Sequence, residues 1–341
     1  MSDPMSDLVI RRVDPSDDAD MDGFQHVYAA AELAEDPAVG LYSREDAHAM
    51  LTSSDPSALF EGFGAFLDGR MVAESILMGS NRDNLHLVRI LLWVDPEHQK
   101  RGHGARLLAH TERRARALGR KVVLAQARAG RGLAGNRRFA ERHGYRLTMT
   151  EIERRLILPV DRAELDRLAD EAAPHHTGYE IRSSVGRVPT ELRASYVALR
   201  NLLEVEMPHG ELEVEPAGGT VDDLEATERE REEAGRRTLA AFAVRDGVVV
   251  AYADASVPGD GFTHIDQYGT LVHPDHRGHR LGMAVKCAQL RLVADHFPDK
   301  EYVTTSNAEV NAHMVAINVA LGFEIHQVWD EFEKRLGPIA S

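Results

Sequence analysis

Two short glycine-bearing loops hold the residue types best suited to chemistry in this sequence. The first loop contains Gln99, Gly102 and Gly104, and an amphipathic helix is predicted directly after it. The second contains Arg277 and Gly282, and a helix is again predicted to follow. The first N–H groups of a helix have no partner within the helix and lie at the positive end of its dipole. Both loops are therefore predicted to bind a diphosphate group through backbone N–H groups.

The two loops belong to two copies of one longer pattern. The offset in numbering between Val94 and Val272 is the same as the offset between the last glycines of the two loops. The same offset recurs further along the chain, between Gly144 and Gly322. A constant offset over separate motifs indicates an internal duplication. The length of 341 residues also predicts two domains, at roughly 150 residues for each.

Each loop is expected to connect a strand to a helix. Residues 265–272 alternate as a β-strand does, and Pro274 ends this strand because proline has no N–H to donate. Two-residue turns at Asp68-Gly69 and Asp246-Gly247 lie between apolar runs and predict one β-hairpin in each copy. Each copy is therefore expected to place its glycine loop at the end of a strand that follows a hairpin.

The sequence around both loops resembles the coenzyme A-binding motif of the GNAT acetyltransferase superfamily. Residues 94–104 contain the whole motif, which is Val-x-Pro followed by Gln/Arg-x-x-Gly-x-Gly. In the second copy, Arg280 stands where the first glycine of the motif is expected. The resemblance implies an α/β (α+β) protein with two tandem GNAT-like domains, each a mixed, mostly antiparallel twisted sheet flanked by helices. The tandem layout is similar to that of mycothiol synthase.

The resemblance also implies the domain boundaries, the cofactor and the residues that contact it. One domain is expected over 1–160, a helical linker over 161–178 and the second domain over 179–341. The expected cofactor is acetyl-CoA. Its expected contacts in the first copy are Val94, Gln99, Lys100, Arg101, Gly102, His103, Gly104 and Ala105. Its expected contacts in the second copy are Leu271, Val272, Arg277, Gly278, His279, Arg280, Leu281, Gly282, Met283, Asn311 and Asn318.

Transfer of an acetyl group from a thioester to an amine needs a base that accepts the ammonium proton. In superfamily members that use a carboxylate, this base often stands on the strand before the loop, six residues ahead of the motif valine. The resemblance therefore implies Asp266 as the base of the second copy, whereas Val88 at the same place in the first copy cannot take a proton. A polar residue at a strand edge is the alternative interpretation of Asp266.

Two asparagines in the second copy complete the implied reaction site. Asn311 is expected to bond the pantetheine arm of the coenzyme, and Asn318 is expected to donate a hydrogen bond to its sulfur. Leu133 and Ala140 take these places in the first copy. Helix capping and solvent contact are the alternative interpretation of the asparagines. We therefore expect the second copy to react and the first copy to bind coenzyme A.

An acidic segment before the second hairpin is expected to form the acceptor site. Glu204, Glu206 and His209 lie in this segment and suit a cationic amine, although a solvated acidic loop is the alternative. The expected function is acetyl-CoA-dependent N-acetylation of a small-molecule amine by direct attack on the thioester. Protein N-terminal or lysine acetylation and a non-catalytic coenzyme A-binding sensor are the alternatives.

The composition limits the remaining classes of function. A formal net charge of −15 argues against nucleic acid as a partner. The single cysteine, Cys287, excludes an internal disulfide framework, and the absence of a metal-spaced Cys/His cluster predicts no metal site. No apolar run reaches the ~20 residues that cross a bilayer, so no membrane partner is expected. We expect a cytoplasmic monomer or homodimer.

Overall fold

The chain folds into two compact units, as shown by a computed structural model. The structure describes residues 8–37, 39–130, 132–207, 212–259 and 262–337. Unit 1 comprises residues 1–149 and 329–341, and unit 2 comprises residues 150–328.

The helices and strands follow one another in the same general order in both halves of the chain. The first half contains β1 (Val9–Arg12), α1 (Asp18–Glu35), α2 (Arg44–Leu51), β2 (Ala58–Leu67), β3 (Arg70–Ser80), β4 (Leu87–Val94), α3 (His103–Ala117), β5 (Val122–Ala129), α4 (Ala134–Arg142) and β6 (Arg146–Ile157). The second half begins with α5 (Arg162–Ala172), β7 (Glu180–Val185), α6 (Arg193–Asn201), α7 (Leu203–Glu206) and α8 (Val221–Glu233). It continues with β8 (Arg237–Arg245), β9 (Val248–Val257), β10 (His264–Val272), α9 (Leu281–His296), β11 (Tyr302–Ala308), α10 (Ala312–Ala320) and β12 (Glu324–Arg335).

The two units have sheets of the same topology. In unit 1, β1 to β4 pair antiparallel in chain order, and β5 pairs parallel with β4. In unit 2, β7 to β10 pair antiparallel in chain order, and β11 pairs parallel with β10. The parallel pair arises in each unit because a helix, α3 or α9, returns the chain before the next strand begins. The predicted mixed, mostly antiparallel fold class is confirmed.

The last strand of each unit comes from the opposite half of the sequence. In unit 2, β6 pairs antiparallel with β11, from Glu151↔Ala308 to Ile157↔Tyr302. In unit 1, the residues of β12 after position 328 lie next to β5. The expected ranges 1–160 and 179–341 do not include this exchange. Alternation within a strand indicates which face is buried, but it does not indicate which strand is the partner.

Each sheet is covered on both faces by helices. In unit 1, α3 buries Leu107 against one face, and α1 buries Phe24 in a separate apolar cluster. In unit 2, α9 buries Cys287 in one cluster, and α6 buries Tyr196 in another. Burial of apolar side chains from both layers is the main stabilising contribution to such a fold. The glycine loops therefore rest on helices that are fixed by packing.

Two kinds of feature are absent from the part of the chain that the structure describes. Within the described ranges, no helix is both long and apolar enough to span a membrane. The same residues contain no group of three or more His, Cys, Asp or Glu side chains placed to hold a metal ion. Cys287 is a free thiol in the core of unit 2.

Candidate active site

The two glycine loops have the same backbone shape. Lys100 and Gly102 adopt positive φ angles of 60° and 85° in the first loop. Gly278 and Arg280, at the equivalent positions of the second loop, adopt positive φ angles of 84° and 52°. Each loop thus has one glycine and one larger residue in the left-handed region, which is strained for residues other than glycine. Arg280 keeps the loop shape although it replaces a motif glycine.

The helices after both loops begin with N–H groups that have no partner in the helix. Gly102 and Arg280 are the N-cap residues, and neither provides a side-chain cap. The Arg106 N–H bonds to the Gly102 carbonyl at 3.1 Å, and the Ala284 N–H bonds to the Arg280 carbonyl at 3.1 Å. Three N–H groups precede this first bond in each helix. This arrangement fits the diphosphate of coenzyme A.

The last glycine of each loop brings the helix close to the preceding strand. A Cβ atom on Gly104 would lie 3.0 Å from the Val94 side chain. A Cβ atom on Gly282 would lie 3.1 Å from Ile317 and 3.7 Å from Val272. Both helices therefore start against the end of a strand, where a larger residue would displace the N–H groups.

The side chains around the second loop bond to other parts of unit 2. Arg277, an expected coenzyme contact, forms an ion pair with Glu206, an expected substrate contact. The Nδ1 atom of His279 lies 3.1 Å from the His175 carbonyl, and Arg280 donates to the Glu171 carbonyl at 3.3 Å. The loop is thus positioned by its own charged residues. The side chain of Glu204 and the whole of His209 lie outside the part of the chain that the structure describes.

The side chains around the first loop have fewer protein partners. Gln99 donates to the Val94 carbonyl at 3.3 Å, and Lys100 and Arg101 are exposed. His103 is buried, and neither of its ring nitrogens has a hydrogen-bond partner among the described residues. Burial lowers the pKa of His103, so its ring is favoured in the neutral form. The buried, neutral ring offers no charge to an anion, so the open N–H groups of α3 are the feature of this loop that fits an anionic ligand.

The two parallel strands of each unit separate after a few residues. In unit 1, the last recorded parallel pair of β4 and β5 is Arg89↔Leu124. In unit 2, the last recorded pair of β10 and β11 is Asp266↔Thr304. Beyond these pairs, β4 continues to Val94 and β10 continues to Val272 without a further parallel pair among the described residues. We call the region between the unpaired strand ends the opening of each unit. Asp266 therefore lies where the opening of unit 2 begins.

A β-bulge distinguishes the opening of unit 2 from that of unit 1. The register of β9 with β10 shifts between Gln267 and Thr270, so Tyr268 and Gly269 have no single residue opposite them. In unit 1, β3 and β4 pair without a shift from Ala73↔Val94 to Met78↔Arg89. A bulge bends its strand and moves backbone groups out of the ladder. The bulge begins two residues after Asp266, because Gln267 still pairs in register with Ala255.

A buried carboxylate holds this bulge in place. The Gly269 N–H donates to Asp254 at 2.7 Å, and the Tyr196 hydroxyl donates to the other carboxylate oxygen at 2.9 Å. A Cβ atom on Gly269 would lie 2.7 Å from the Tyr252 hydroxyl, so only glycine fits. Asp254 was not identified from the sequence. A signal was present, because it is the only charged residue between Val248 and Val257.

Asp266 is a partly exposed carboxylate at the last parallel pair of β10 and β11. Its side chain is 31% exposed and lies 3.5 Å from His264. Val88, at the equivalent position of unit 1, is buried and cannot accept a proton. The arrangement at Asp266 is compatible with proton transfer, either directly or through one water.

The two expected asparagines make contacts within unit 2. Asn311 caps α10, where its side-chain oxygen accepts from the Met314 N–H at 3.3 Å, in agreement with the capping alternative. Asn318 is 0% exposed, accepts from Lys286 and donates to Asn307 at 2.5 Å. Burial lowers the pKa of Lys286 to about 7. Lys286 and Asn307 were not identified from the sequence.

Unit 1 contains a buried acid that was also not identified from the sequence. Glu74 is 0% exposed, and neither carboxylate oxygen has a hydrogen-bond partner among the described residues. It lies opposite Trp93 in the β3–β4 ladder. Burial raises the pKa of Glu74 well above its ordinary value, so its neutral form is favoured. A single charged residue within the run 71–78 was the available signal.

Glu32 joins the ends of the two separated strands in unit 1. Trp93 on β4 donates to Glu32 at 2.7 Å, and Arg128 on β5 forms an ion pair with Glu32 at 2.5 Å. The Arg128 guanidinium also lies over the Trp329 ring, 4.7 Å from its centroid. These contacts connect β4 and β5 through Glu32 of α1.

Comparisons with known proteins agree with the fold and the loop geometry. A family model described as an acetyltransferase (GNAT) domain matches residues 61–147, which include the first glycine loop. No curated protein sequence matches the chain.

Solved structures extend the similarity to the rest of the chain. A tandem GNAT protein from the clavulanic acid biosynthesis pathway, solved without AcCoA, is 26% identical with a TM-score of 0.77, and the match covers 98% of this chain and 100% of that one. A GCN5-related N-acetyltransferase from Sphaerobacter thermophilus is 18% identical with a TM-score of 0.65, and the match covers 97% and 96%. A putative acetyltransferase from Pyrococcus horikoshii is 12% identical with a TM-score of 0.57, and the match covers 98% and 91%.

The repeated sheet topology, the paired loops and these similarities lead to one conclusion. The family model covers part of the first copy, and the tandem GNAT structure covers nearly all of both copies. The chain therefore contains a GNAT acetyltransferase domain over residues 61–147 and shares the tandem GNAT fold over nearly its whole length.

Proposed function

We propose that unit 2 transfers the acetyl group of acetyl-CoA to the amino group of a small molecule. The observation that supports this proposal best is the position of Asp266, which lies where β10 and β11 separate and two residues before the bulge. Unit 1 has Val88 at the equivalent position and a regular β3–β4 register. A carboxylate can serve as a base for an amine, and a bulge frees backbone groups for a ligand; unit 2 has both features, whereas unit 1 has Val88 and a regular β3–β4 register.

The second glycine loop would hold the coenzyme in unit 2. The N–H groups of Leu281, Gly282 and Met283 precede the first helical hydrogen bond and would bind its diphosphate. Leu271 and Val272 would line the adjacent end of β10. Bound acetyl-CoA would supply the acetyl group as a thioester.

Asp266 would act as the base for the incoming amine. An amine with a pKa of ~10.4 is protonated at neutral pH and cannot attack a carbonyl until it loses that proton. The partly exposed carboxylate can accept the proton directly or through one water. A developing positive charge on the amine would also be stabilised by the nearby carboxylate.

The bulge would provide the polar groups that face the developing negative charge. Backbone groups of a bulged residue lie outside the ladder, so they are available to a ligand. The Gly269 N–H is used by Asp254, which leaves the backbone of Tyr268 as the nearest candidate donor. A fixed donor at this point would favour the charged transition state over the neutral thioester.

Unit 1 would bind coenzyme A without transferring its acetyl group. The open N–H groups of α3 support binding. Val88 supplies no base. Unit 1 would then have a structural or regulatory role.

A small cationic amine is the acceptor class that the charges favour. Glu206 pairs with Arg277, so a cationic acceptor would compete with Arg277 for that carboxylate. Asp266 provides a second negative charge in unit 2, and the net charge of the whole chain is −15. These charges attract cations over a distance of about one Debye length, ~8 Å at physiological salt.

The test is a measurement of acetyl-CoA turnover with a panel of small amines and a matched panel of peptides. The peptides carry either a free N-terminus or a lysine. Turnover with small amines that exceeds turnover with every peptide supports the proposal. Higher turnover with peptides would favour protein acetylation instead. Coenzyme binding without any turnover would favour the sensor alternative.

A further inference from the structure

Three polar residues form a continuous chain of hydrogen bonds inside unit 2. Lys286 on α9 donates to the side-chain oxygen of Asn318 on α10. Asn318 then donates from its amide nitrogen to the side-chain oxygen of Asn307 on β11, at 2.5 Å. Lys286 is 1% exposed and Asn318 is 0% exposed. These hydrogen bonds therefore connect the core of unit 2 to β11.

The fold does not require these polar residues. The equivalent positions of the first copy hold Leu108 for Lys286, Ala140 for Asn318 and Ala129 for Asn307. Leu108 and Ala140 pack in the apolar core of unit 1. Burying an ammonium group opposes folding unless other interactions compensate. A role in the reaction site of unit 2 would explain why the polar set is present there.

The observed bonds set the direction of the hydrogen-bond chain. Lys286 donates to the side-chain oxygen of Asn318, so that oxygen faces Lys286. The amide nitrogen of Asn318 then faces Asn307, which must turn its own oxygen toward Asn318. The amide nitrogen of Asn307 is consequently directed away from Asn318. The orientation of both amides follows from Lys286.

Asn307 lies at the edge of the opening in unit 2. Thr304, three residues before it on β11, forms the last parallel pair with Asp266. At ~3.3 Å per residue, Asn307 lies about 10 Å further along the separated strand, in the direction of the glycine loop. By the alternation of a strand, Asn307 and Asp266 are on opposite faces of the sheet. A ligand between the two strands would pass both residues.

We infer that Asn307 is the residue of unit 2 that donates to a carbonyl oxygen of the acyl-coenzyme arm, and that Lys286 and Asn318 are positioning residues that orient it. This inference rests on the proposed function of unit 2. The recognised group is a carbonyl on the arm that joins the diphosphate to the thioester. The diphosphate itself is bound elsewhere, at the second glycine loop.

The test compares two ligands that differ in this arm. Acetyl-CoA has the arm, whereas 3′-phosphoadenosine 5′-diphosphate has only the nucleotide portion. Binding is measured by calorimetry on the full chain carrying Gly104→Val, which blocks the first glycine loop. If that protein does not fold, Gly102→Val serves the same purpose, because a β-branched residue is strained at a φ of 85°.

Asn307→Ala is expected to weaken acetyl-CoA binding by about threefold to tenfold, the effect of one hydrogen bond. Binding of the nucleotide is expected to stay unchanged. Asn318→Asp should have the same selective effect, because a carboxylate still pairs with Lys286 but forces Asn307 to donate to it. Lys286→Met should act in the same direction. Leu108→Met in unit 1 is the matched control and should alter neither ligand.

Two results would overturn the inference. One is unchanged acetyl-CoA binding in both Asn307→Ala and Asn318→Asp. The other is equal weakening of both ligands, which would indicate a structural role for the chain of hydrogen bonds. These results can be distinguished from failure of the proposed function. In that case the parent protein would bind no acetyl-CoA or would show no turnover with any amine.

Discussion

The backbone N–H of Gly269 donates to the carboxylate of Asp254 across 2.7 Å, and this bond joins the bulge of β10 to the neighbouring strand. Tyr196 donates to the second oxygen of the same carboxylate, so α6 is tied to the bulge as well. The equivalent positions of unit 1 hold Ile76 and Leu91, and the strand there is regular. The bulge is therefore found in unit 2, where Asp254 accepts the Gly269 N–H, and not in unit 1, where the equivalent residues are apolar.

Replacing Asp254 by isoleucine, the residue of unit 1, is expected to remove the bulge. The Gly269 N–H and the Tyr196 hydroxyl would lose a buried partner, which costs about 1–3 kcal/mol for each group left unsatisfied. Turnover should fall by roughly 10²–10³-fold, as when one fixed donor is lost. The measurement is kcat on protein shown to be folded by circular dichroism. Ile76→Val in unit 1 is the control, and full turnover in Asp254→Ile would contradict the role of the bulge.

The two glycine loops are expected to bind coenzyme A independently. Gly104→Val places a branched side chain against Val94, where even a Cβ atom would lie 3.0 Å away. Gly282→Val does the same against Ile317, with a Cβ distance of 3.1 Å. Titration calorimetry should show two sites in the parent and one in each variant. Turnover should be lost only in Gly282→Val, and loss in Gly104→Val alone would assign the reaction to unit 1.

Glu74 is expected to make the protein less stable as the pH rises. Its pKa is raised in the folded state, so above about pH 4.5 the unfolded chain loses a proton that the folded chain keeps. The folded state then binds more protons, and the free energy of unfolding falls between pH 4.5 and the raised pKa. Glu74→Gln removes this dependence and should be the more stable protein near neutral pH. Urea unfolding over this pH range is the measurement.

A control for Glu74→Gln is Glu97→Gln, because Glu97 is exposed in the same unit. It should change the free energy of unfolding by less than about 0.5 kcal/mol at any pH. If the free energy of unfolding changes with pH in the same way in the parent and in Glu74→Gln, the pKa of Glu74 is not raised in the folded state.

The sequence predicted local features of the fold better than distant ones. The glycine loops and hairpin turns depend on a few adjacent residues, so their patterns were visible. The exchange of β6 and β12 depends on pairing between distant strands, which alternation does not specify. Asn311 shows a further limit, because the same residue type caps helices and binds ligands. Asp254, Glu74 and Lys286 were single polar residues in apolar runs, and their partners became known only with the structure.

The measurement that tests the central claim most directly is the pH dependence of turnover in Asp266→Asn. This substitution keeps the shape of the side chain but removes the proton acceptor, so turnover at neutral pH should fall by ~10²–10⁴-fold while coenzyme binding stays unchanged. Raising the pH should restore part of the rate, because more of the amine is then already deprotonated. Gln99→Ala in the first loop should leave turnover nearly unaltered. Full activity in Asp266→Asn together with lost activity in Gln99→Ala would contradict the account and assign the reaction to unit 1.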